Sequence, residues 1–230
     1  MEEWYVVTGA NRGLGLALAS RVLEADGHVV AVCRGEGLPD TGAAPERLLT
    51  YRLDLREPAS ILQFGNWLRD RDLRIRCLIN NAGVCLDGGG SFDLEEASFQ
   101  RLDPAILEQT FQTNLFGPIH MIQAAYRSMV PGGLVLNITS GLASPEGLDA
   151  GWLAYRTSKA ALNAMTRVLA KELAGRNIMV NAIAPGWVRT AMGGAEAPVE
   201  PGNAAEWILK VIRSLQEGRV DSGTVVSFDV

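Results

Sequence analysis

A tyrosine and a lysine stand four residues apart, as Tyr155 and Lys159, within a predicted helix. Positions i and i+4 of a helix share one face. A free tyrosine has a pKa near ~10, and a neighbouring ammonium stabilises the phenolate and lowers that pKa. A phenol whose pKa lies close to working pH exchanges a proton efficiently with an alcohol or carbonyl oxygen. The spacing alone is common, so it indicates acid–base chemistry only when other residues support it.

A glycine-rich turn near the N-terminus could bind a dinucleotide. Gly9, Gly13 and Gly15 follow the apolar run Trp4–Thr8 and open a helical pattern over Leu14–Asp26. In such a position, glycines turn the chain, let the backbone approach a pyrophosphate and allow close packing of helix on strand. The helix N-terminus supplies free N–H groups and partial positive charge. We therefore predict a pyrophosphate site, with a purely structural turn as the alternative.

Arg34 lies where dinucleotide-binding chains usually carry the acidic residue that holds the adenosine ribose. An acidic residue would repel a 2′-phosphate, whereas an arginine can bind it in a bidentate manner. Arg12, inside the glycine-rich turn, adds a second positive charge. The sequence thus favours NADP(H) over NAD(H), although the nearby Glu36 leaves the preference open, and Arg34 could instead be a solvated surface residue.

Short apolar runs alternate with longer helical patterns along the chain. The predicted strands are Trp4–Thr8, Val29–Cys33, Leu48–Leu53, Ile75–Asn80, Leu134–Ile138, Ile178–Ala184 and Thr224–Phe228. The predicted helices are Leu14–Asp26, Pro58–Arg69, Pro104–Met129, Trp152–Leu173 and Ala204–Leu215. Strands that are apolar on both faces belong in a parallel sheet covered by helices on each side. We predict one α/β domain over residues 1–230, with a doubly wound seven-stranded parallel sheet and a short substrate loop at about 186–203. Within that loop, the irregular stretch Gly193–Gly202 is expected to be mobile.

Composition excludes several classes of protein. The 230 residues are 47% hydrophobic and 20% charged, an ordinary globular balance. The net charge of −5 and the lack of any Lys/Arg run argue against nucleic acid as a partner. No secretory signal or membrane-spanning run is present, so we expect a cytoplasmic protein that does not bind a membrane. Cys33, Cys77 and Cys85 are expected to be reduced thiols with no metal role.

The chain as a whole resembles the short-chain dehydrogenase/reductase family, with carbonyl-reductase-like features. The resemblance covers residues 4–228 and rests on five motifs in order: Thr8–Gly15 (TGxxxGxG), Asn80-Asn81-Ala82-Gly83, Asn114, Ser140 ahead of Tyr155-x-x-x-Lys159, and Pro185-Gly186 followed by Thr190. It implies a single-domain Rossmann fold. The joint presence of the motifs supports a chemical role for the tyrosine and lysine.

The resemblance implies roles for the candidate catalytic residues. Tyr155 is expected to be the general acid in reduction and the base in oxidation. Lys159 is expected to lower the tyrosine pKa and to hydrogen-bond the nicotinamide ribose. Ser140 is expected to hydrogen-bond and polarise the substrate carbonyl, with Thr139 the weaker candidate for that place. Asn114, in a long helix, is expected to hold a water that links the lysine to solvent for proton relay.

The resemblance also implies a nicotinamide dinucleotide as cofactor. Asp54 is expected to contact the adenine, and the Asn81–Gly83 stretch to line the adenosine ribose. Gly186, Val188 and Thr190 are expected to fix the nicotinamide and its carboxamide. The complete predicted cofactor site is Gly9, Asn11, Arg12, Gly13, Leu14, Gly15, Arg34, Asp54, Leu55, Asn81, Ala82, Gly83, Tyr155, Lys159, Pro185, Gly186, Val188 and Thr190.

Two segments depart from the family pattern and bear on the substrate. Gly141–Ala154 is slightly longer than in many members, and its Leu142, Leu148 and Trp152 are expected near the substrate. The segment after the Pro-Gly motif is short, where many members fold extra helices as a lid. We expect an open or minimal lid with Trp187 as one wall. Core packing is the alternative for each of these apolar side chains.

The two long predicted helices, Pro104–Met129 and Trp152–Leu173, carry apolar positions on more than one face. In the family such helices often pack against the same pair in a second subunit. We therefore expect a homodimer, or a homotetramer, through these helices. Two helices that pack only within one core are the alternative.

Residues and resemblance together predict an NADP(H)-dependent oxidoreductase that transfers a hydride between nicotinamide and a small carbonyl compound or secondary alcohol. A catalytically idle NADP(H)-binding sensor or scaffold is one alternative, which the complete catalytic set disfavours. An epimerase or dehydratase of the same family is another, which the short lid disfavours. The apolar loops suggest a moderately apolar ketone or aldehyde, but the substrate and the direction of reaction stay open.

Overall fold

A computed structural model of the chain describes residues 2–35, 44–90, 93–145 and 148–228. The strands in this part are β1 (Glu3–Thr8), β2 (His28–Cys33), β3 (Leu48–Arg52), β4 (Arg74–Asn80), β5 (Met129–Ile138), β6 (Met179–Ala184) and β7 (Val225–Ser227). The α-helices are α1 (Gly13–Glu24), α2 (Pro58–Asp70), α3 (Pro104–Phe111), α4 (Gly117–Ala125), α5 (Leu153–Glu172) and α6 (Pro201–Gln216). A π-helical turn, Gln112–Phe116, joins α3 to α4.

The described strands form one parallel sheet in the order β3-β2-β1-β4-β5-β6-β7. The chain runs outward from β1 to β3 on one side and from β4 to β7 on the other, so the order reverses between β1 and β4. In open α/β sheets, ligands bind in the crevice beyond the carboxyl ends of the strands at such a reversal. The predicted α/β Rossmann fold with seven parallel strands is confirmed.

Both faces of the sheet are buried, which explains why the strands read as continuous apolar runs. Val6 and Val7 are adjacent in β1, yet they belong to opposite hydrophobic cores, because successive side chains of a strand point to opposite faces. One core packs the sheet against α1 and α6. The other packs it against α2, α4 and α5.

The prediction of one long helix over Pro104–Met129 is wrong at its C-terminal end. Helix α4 ends at Ala125, and Met129 already belongs to β5, where it pairs with Ile75. The apolar Met129 fits helical spacing and a buried strand equally well, so periodicity could not place it. The pairing then shifts register near Gly132, whose φ of 78° suits an irregular strand.

The predicted loop before the last helix is shorter than expected, since α6 begins at Pro201 and not at Ala204. Hydrogen bonds tie its two sides together. The Arg189 amide donates to the Val199 carbonyl at 2.8 Å, and the Val199 amide donates to the Trp187 carbonyl at 3.2 Å. The mobility expected of this loop stays a prediction.

Candidate active site

The carboxyl ends of the central strands border a cavity of about 930 Å³. Its walls come from the glycine-rich turn after β1, the ends of β2 to β4, the segment between β5 and α5, and the segment between β6 and α6. The cavity thus occupies the crevice that the strand order indicates, and it is large enough for a dinucleotide and a small substrate.

The glycine-rich turn forms a cradle that side chains would fill. Gly9 and Gly13 have φ values of 67° and 54°, in the left-handed region that favours glycine. A Cβ at Gly15 would lie 2.2 Å from the Gly9 carbonyl oxygen, so the backbone tolerates no side chain there. The side chain of Arg12, the residue before α1, does not cap the helix, so the amide groups of its first turn can donate to a phosphate. These features fit the predicted pyrophosphate site.

Thr8 and Asn81 join the glycine-rich turn to the end of β4. The Thr8 hydroxyl accepts hydrogen bonds from the amides of Asn81 and Ala82, each at 3.0 Å. The Asn81 side-chain amide donates to the Thr8 carbonyl at 2.8 Å. Asn81 and Ala82 line the cavity as expected, and Asn81 also holds the cradle in shape.

The β2–β3 end of the cavity carries the charges expected for the adenosine half. Arg12 and Arg34 are exposed and line the cavity. Asp54 lines it too, but its carboxylate pairs with Arg56 at 2.7 Å, and that hydrogen bond lowers its pKa. Among the described residues that line this end, positive side chains outnumber negative ones by two to one. Glu36, the residue that left cofactor preference open, lies outside the described residues.

Ser140 and Tyr155 meet at the opposite end of the cavity, beyond β5. Burial raises the pKa of Tyr155 to about 12, against the lowering effect of a hydrogen bond with Ser140. The pKa of Tyr155 thus lies above its ordinary value, whereas the sequence predicted a lowered one. The largest cause is desolvation of the phenolate by burial. A phenol of this kind is protonated at neutral pH.

Lys159 is buried beneath Tyr155, with its Nζ atom 6.0 Å from the centre of the phenol ring. The ammonium donates a hydrogen bond to the Ile138 carbonyl at 2.8 Å. Burial lowers the lysine pKa to about 8. Thr139 is also buried, and its hydroxyl donates to the Lys159 carbonyl at 3.4 Å, so Ser140 is the hydroxyl beside the tyrosine.

Asn114 is fully buried in the π-helical turn and is the one predicted site residue that does not line the cavity. Its side chain binds the backbone of Val84, accepting from the amide and donating to the carbonyl, both at 2.8 Å. It also donates to the Ser158 hydroxyl at 3.0 Å. A Cβ at Gly83 would lie 3.2 Å from the Asn114 oxygen and 3.3 Å from the Lys159 Nζ atom. Asn114 and Lys159 therefore approach the same glycine, and π-helical turns often mark functional sites.

The segment after β6 closes the cavity near the glycine-rich turn. Gly186 has a φ of 79°, and a Cβ there would meet Phe228 at 3.2 Å. The Thr190 hydroxyl accepts a hydrogen bond from the Gly193 amide at 3.1 Å. The Thr190 methyl group lies 3.1 Å from the position of a Cβ on Gly13. The two motifs thus contact each other, although they are far apart in sequence.

Apart from Asn114, every predicted site residue lines the cavity. These are Gly9, Asn11, Arg12, Gly13, Leu14, Gly15, Arg34, Asp54, Leu55, Asn81, Ala82, Gly83, Ser140, Tyr155, Lys159, Pro185, Gly186, Val188 and Thr190. Of the apolar residues expected near the substrate, Leu142, Trp152 and Trp187 line it and Leu148 does not. The roles assigned to these residues stay predictions.

Asp87 was not anticipated from the sequence. Its buried carboxylate accepts hydrogen bonds from the amides of Ala154 and Tyr155, at 2.8 and 3.1 Å. Trp152, the residue before α5, offers no capping side chain, so Asp87 caps this helix from the segment after β4. The two parts are more than sixty residues apart in sequence, and no local pattern signals such a cap.

Cys85 also lines the cavity, and burial raises its pKa to about 12. Cys33, Cys77 and Cys85 are free thiols. Within the described ranges, no group of three or more His, Cys, Asp or Glu side chains could hold a metal ion. No helix in the described part of the chain combines the length and the apolar character needed to cross a lipid bilayer.

A family model described as short chain dehydrogenase matches residues 3–200. The chain belongs to this family of oxidoreductases. It is 32% identical over 188 residues to the 3-oxoacyl-(acyl-carrier-protein) reductase MabA of Mycobacterium tuberculosis, across 81% of this chain and 70% of that protein. It is 36% identical over 192 residues to the NAD-dependent glycerol dehydrogenase of Listeria innocua, across 82% of this chain and 71% of that protein.

A solved relative shows the same architecture over almost the whole chain. The NADPH-bound carbonyl reductase from chicken fatty liver superposes with a TM-score of 0.84 and 26% identity, over 98% of this chain and 96% of that one. The names of these relatives include both nicotinamide cofactors and several substrates. These relatives therefore do not fix the cofactor preference or the substrate of this chain.

Proposed function

We propose that the protein is an NADP(H)-dependent carbonyl reductase or alcohol dehydrogenase. The observation that carries the proposal is the convergence of Ser140, Tyr155 and Lys159 on the cavity that the glycine cradle also borders. The glycine-rich turn and the start of α1 would hold the pyrophosphate, and a bound nicotinamide would supply or accept the hydride. The protein contributes placement, proton transfer and electrostatics.

The proton in reduction would come from Tyr155. Its raised pKa keeps the hydroxyl protonated at neutral pH, so it can donate to the carbonyl oxygen as the carbon receives a hydride. Ser140, which hydrogen-bonds the tyrosine, would hold the same oxygen. In oxidation the proton moves from the alcohol to the phenolate. Lys159, charged below its pKa of about 8, would stabilise negative charge on that oxygen and bind the ribose.

Asn114 is proposed to hold the backbone and a water molecule next to Lys159. Its side chain fixes the backbone at Val84, next to the glycine that both Asn114 and Lys159 approach. A water held there would connect the buried ammonium to solvent and restore the proton. This proton relay is the role that the family resemblance implies for Asn114.

The preference for NADP(H) rests on the charges at the β2–β3 end of the cavity. Arg12 and Arg34 line that end, while Arg56 neutralises Asp54. A 2′-phosphate would find two cations there and no unpaired carboxylate among the described residues. Arg34→Ala should raise KM for NADPH about tenfold or more and leave KM for NADH within about twofold, because a hydrogen bond to a charged group contributes about 1.5–3 kcal/mol.

A matched control for that variant is Lys210→Gln, which removes one positive charge from the exposed face of α6. It should change neither KM. Equal or tighter binding of NADH than NADPH to the wild-type protein would reject the preference.

The proposed activity is tested by absorbance loss of NADPH with a panel of ketones and aldehydes, with NADPH binding measured separately by fluorescence. Turnover of at least one carbonyl compound is expected. Tight NADPH binding without turnover of any would favour the idle sensor instead. The proposed homodimer is tested by light scattering, where a monomer at micromolar concentration would reject it.

A further inference from the structure

Charged side chains are distributed unevenly along the cavity. Among the described residues that line it, the charged ones are Arg12, Arg34, Asp54 and Lys159. The first three lie in the glycine-rich turn and at the ends of β2 and β3. The Lys159 ammonium lies beneath the phenol ring and already donates to a backbone carbonyl. The end beyond β5 and β6 therefore offers a substrate no charged side chain from the described residues.

Two apolar walls border this uncharged end. Leu142 and Trp152 come from the segment between β5 and α5, and Trp187 and Met192 come from the segment between β6 and α6. Leu142, Trp187 and Met192 are 42%, 48% and 45% exposed, so each would bury further apolar surface against a ligand. Cys85 lines the same cavity and, with its raised pKa, adds a neutral thiol.

Trp187 is held in place by its own loop. Its indole Nε1 donates to the Gly193 carbonyl at 2.7 Å. Its backbone carbonyl accepts from the Val199 amide. A Cβ at Gly193 would lie 2.0 Å from the Val188 carbonyl oxygen, so the glycine is needed for this close approach. These contacts hold the Trp187 side chain in a fixed position at the border of the cavity.

We propose that the substrates of this site are uncharged and largely apolar carbonyl compounds and their alcohols. This inference rests on the proposed function. The reacting oxygen lies at Tyr155 and Ser140, and the hydrocarbon part lies against Leu142, Trp187 and Met192. An ionised substrate would lose its hydration there without gaining a counter-charge from the described side chains, and a small polyol would bury little apolar surface against these walls.

The test compares two substrates of nearly equal shape, 4′-methylacetophenone and 4-acetylbenzoate, with hydroxyacetone as a small polar ketone. The readout is kcat/KM from NADPH absorbance. We expect the methyl compound to exceed both others by about a hundredfold, since an unpaired charge or hydroxyl is costly to bury. If the carboxylate or hydroxyacetone is the better substrate, the inference is overturned while the proposed function stands.

A charge placed in the wall should reverse the preference. Met192→Lys should raise kcat/KM for 4-acetylbenzoate and lower it for 4′-methylacetophenone, at least tenfold in their ratio. The matched control is Leu62→Lys, which introduces the same charge at a residue of α2 that is 65% exposed and does not line the cavity. The inference would be overturned if both variants had the same ratio of kcat/KM for 4-acetylbenzoate to kcat/KM for 4′-methylacetophenone, with unchanged thermal unfolding. That result would show that Met192 does not contact the substrate.

Failure of the proposed function would give a different result from failure of this inference. If none of the ketones oxidises NADPH although NADPH binds, the reaction assigned to the site is wrong. Calorimetric titration of the corresponding alcohols into the NADP⁺ complex then decides the inference by itself. Tighter binding of 1-(4-methylphenyl)ethanol than of 4-(1-hydroxyethyl)benzoate supports an uncharged apolar site, and equal or absent binding contradicts it.

Discussion

The carboxylate of Asp87 accepts a hydrogen bond from the backbone amide of Tyr155 itself, with 3.1 Å between the Oδ1 and nitrogen atoms. The second carboxylate oxygen takes the amide of Ala154 at 2.8 Å. The first turn of α5, which carries the proposed general acid, is thereby fixed to the segment that follows β4. The Asp87 cap therefore helps to fix the position of the Tyr155 side chain.

Asp87→Ala should lower both stability and turnover. Loss of a helix cap costs about 0.5–2 kcal/mol. Because a small displacement of a reacting group is costly in rate, kcat should fall about tenfold or more while the affinity for NADPH stays within about twofold. Urea unfolding and steady-state kinetics measure the two effects.

Asp103→Ala is the matched control for the cap. Asp103 accepts from the Ala105 amide at 2.8 Å and caps α3, which does not carry the tyrosine. It should lose comparable stability and keep its kcat. If the two variants show the same kcat, Asp87 is a structural cap with no effect on the placement of Tyr155.

Lys159→Met should stabilise the ligand-free protein at pH 7 while abolishing turnover. Burial lowers the lysine pKa from 10.5 to about 8, so the charged form is held against a desolvation cost. At 1.36 kcal/mol per pKa unit this cost is about 3 kcal/mol, and loss of the hydrogen bond to Ile138 offsets about 1 kcal/mol of it. A net gain of about 2 kcal/mol in unfolding free energy is expected.

The difference in unfolding free energy between Lys159→Met and the wild-type protein should depend on pH. Between about pH 8 and 10.5, the unfolded chain binds the lysine proton that the folded chain has released, so wild-type stability from this group rises with pH. The advantage of the Lys159→Met variant should therefore shrink from pH 7 to pH 10. A variant that is less stable than wild type at both pH values would show that the ammonium is not held at a cost.

Gly15→Ala should disrupt the cofactor cradle. The added methyl group would lie 2.2 Å from the Gly9 carbonyl oxygen, so the turn or the start of α1 must shift. We expect NADPH affinity to fall about a hundredfold and stability to fall by about 1–3 kcal/mol, the usual cost of overpacking.

The control for this variant is Gly175→Ala, where an added Cβ meets no atom within 4 Å. Fluorescence titration of NADPH should not distinguish this control from wild type. Wild-type affinity in the Gly15→Ala variant would mean that the cradle is not the pyrophosphate site.

The sequence predicted the sheet and its crevice from local patterns, and all but one of the site residues that the motifs and the family resemblance indicated line the cavity. Apolar runs on both faces define parallel strands, and strand ends in such a sheet meet at one edge. Periodicity failed at Met129, which suits helix and strand alike. It could not reveal Asp87, whose partners lie in α5, nor the π-helical turn around Asn114.

The pKa of Tyr155 was predicted in the wrong direction for a related reason. Spacing places Lys159 on the same helix face, but only the structure shows that its ammonium bonds the Ile138 carbonyl and that burial dominates. The balance between charge attraction and desolvation depends on packing from several segments, which no single spacing encodes.

The central claim is that Tyr155 transfers the proton at the substrate oxygen. The most direct measurement is the turnover of Tyr155→Phe with an accepted ketone, alongside its NADPH affinity and with Tyr126→Phe as a control outside the cavity. We predict that kcat falls at least about a hundredfold in Tyr155→Phe, as general acid–base catalysis contributes 10²–10⁴-fold, while NADPH affinity stays within about twofold. Turnover close to wild type in a variant that lacks this hydroxyl would contradict the claim.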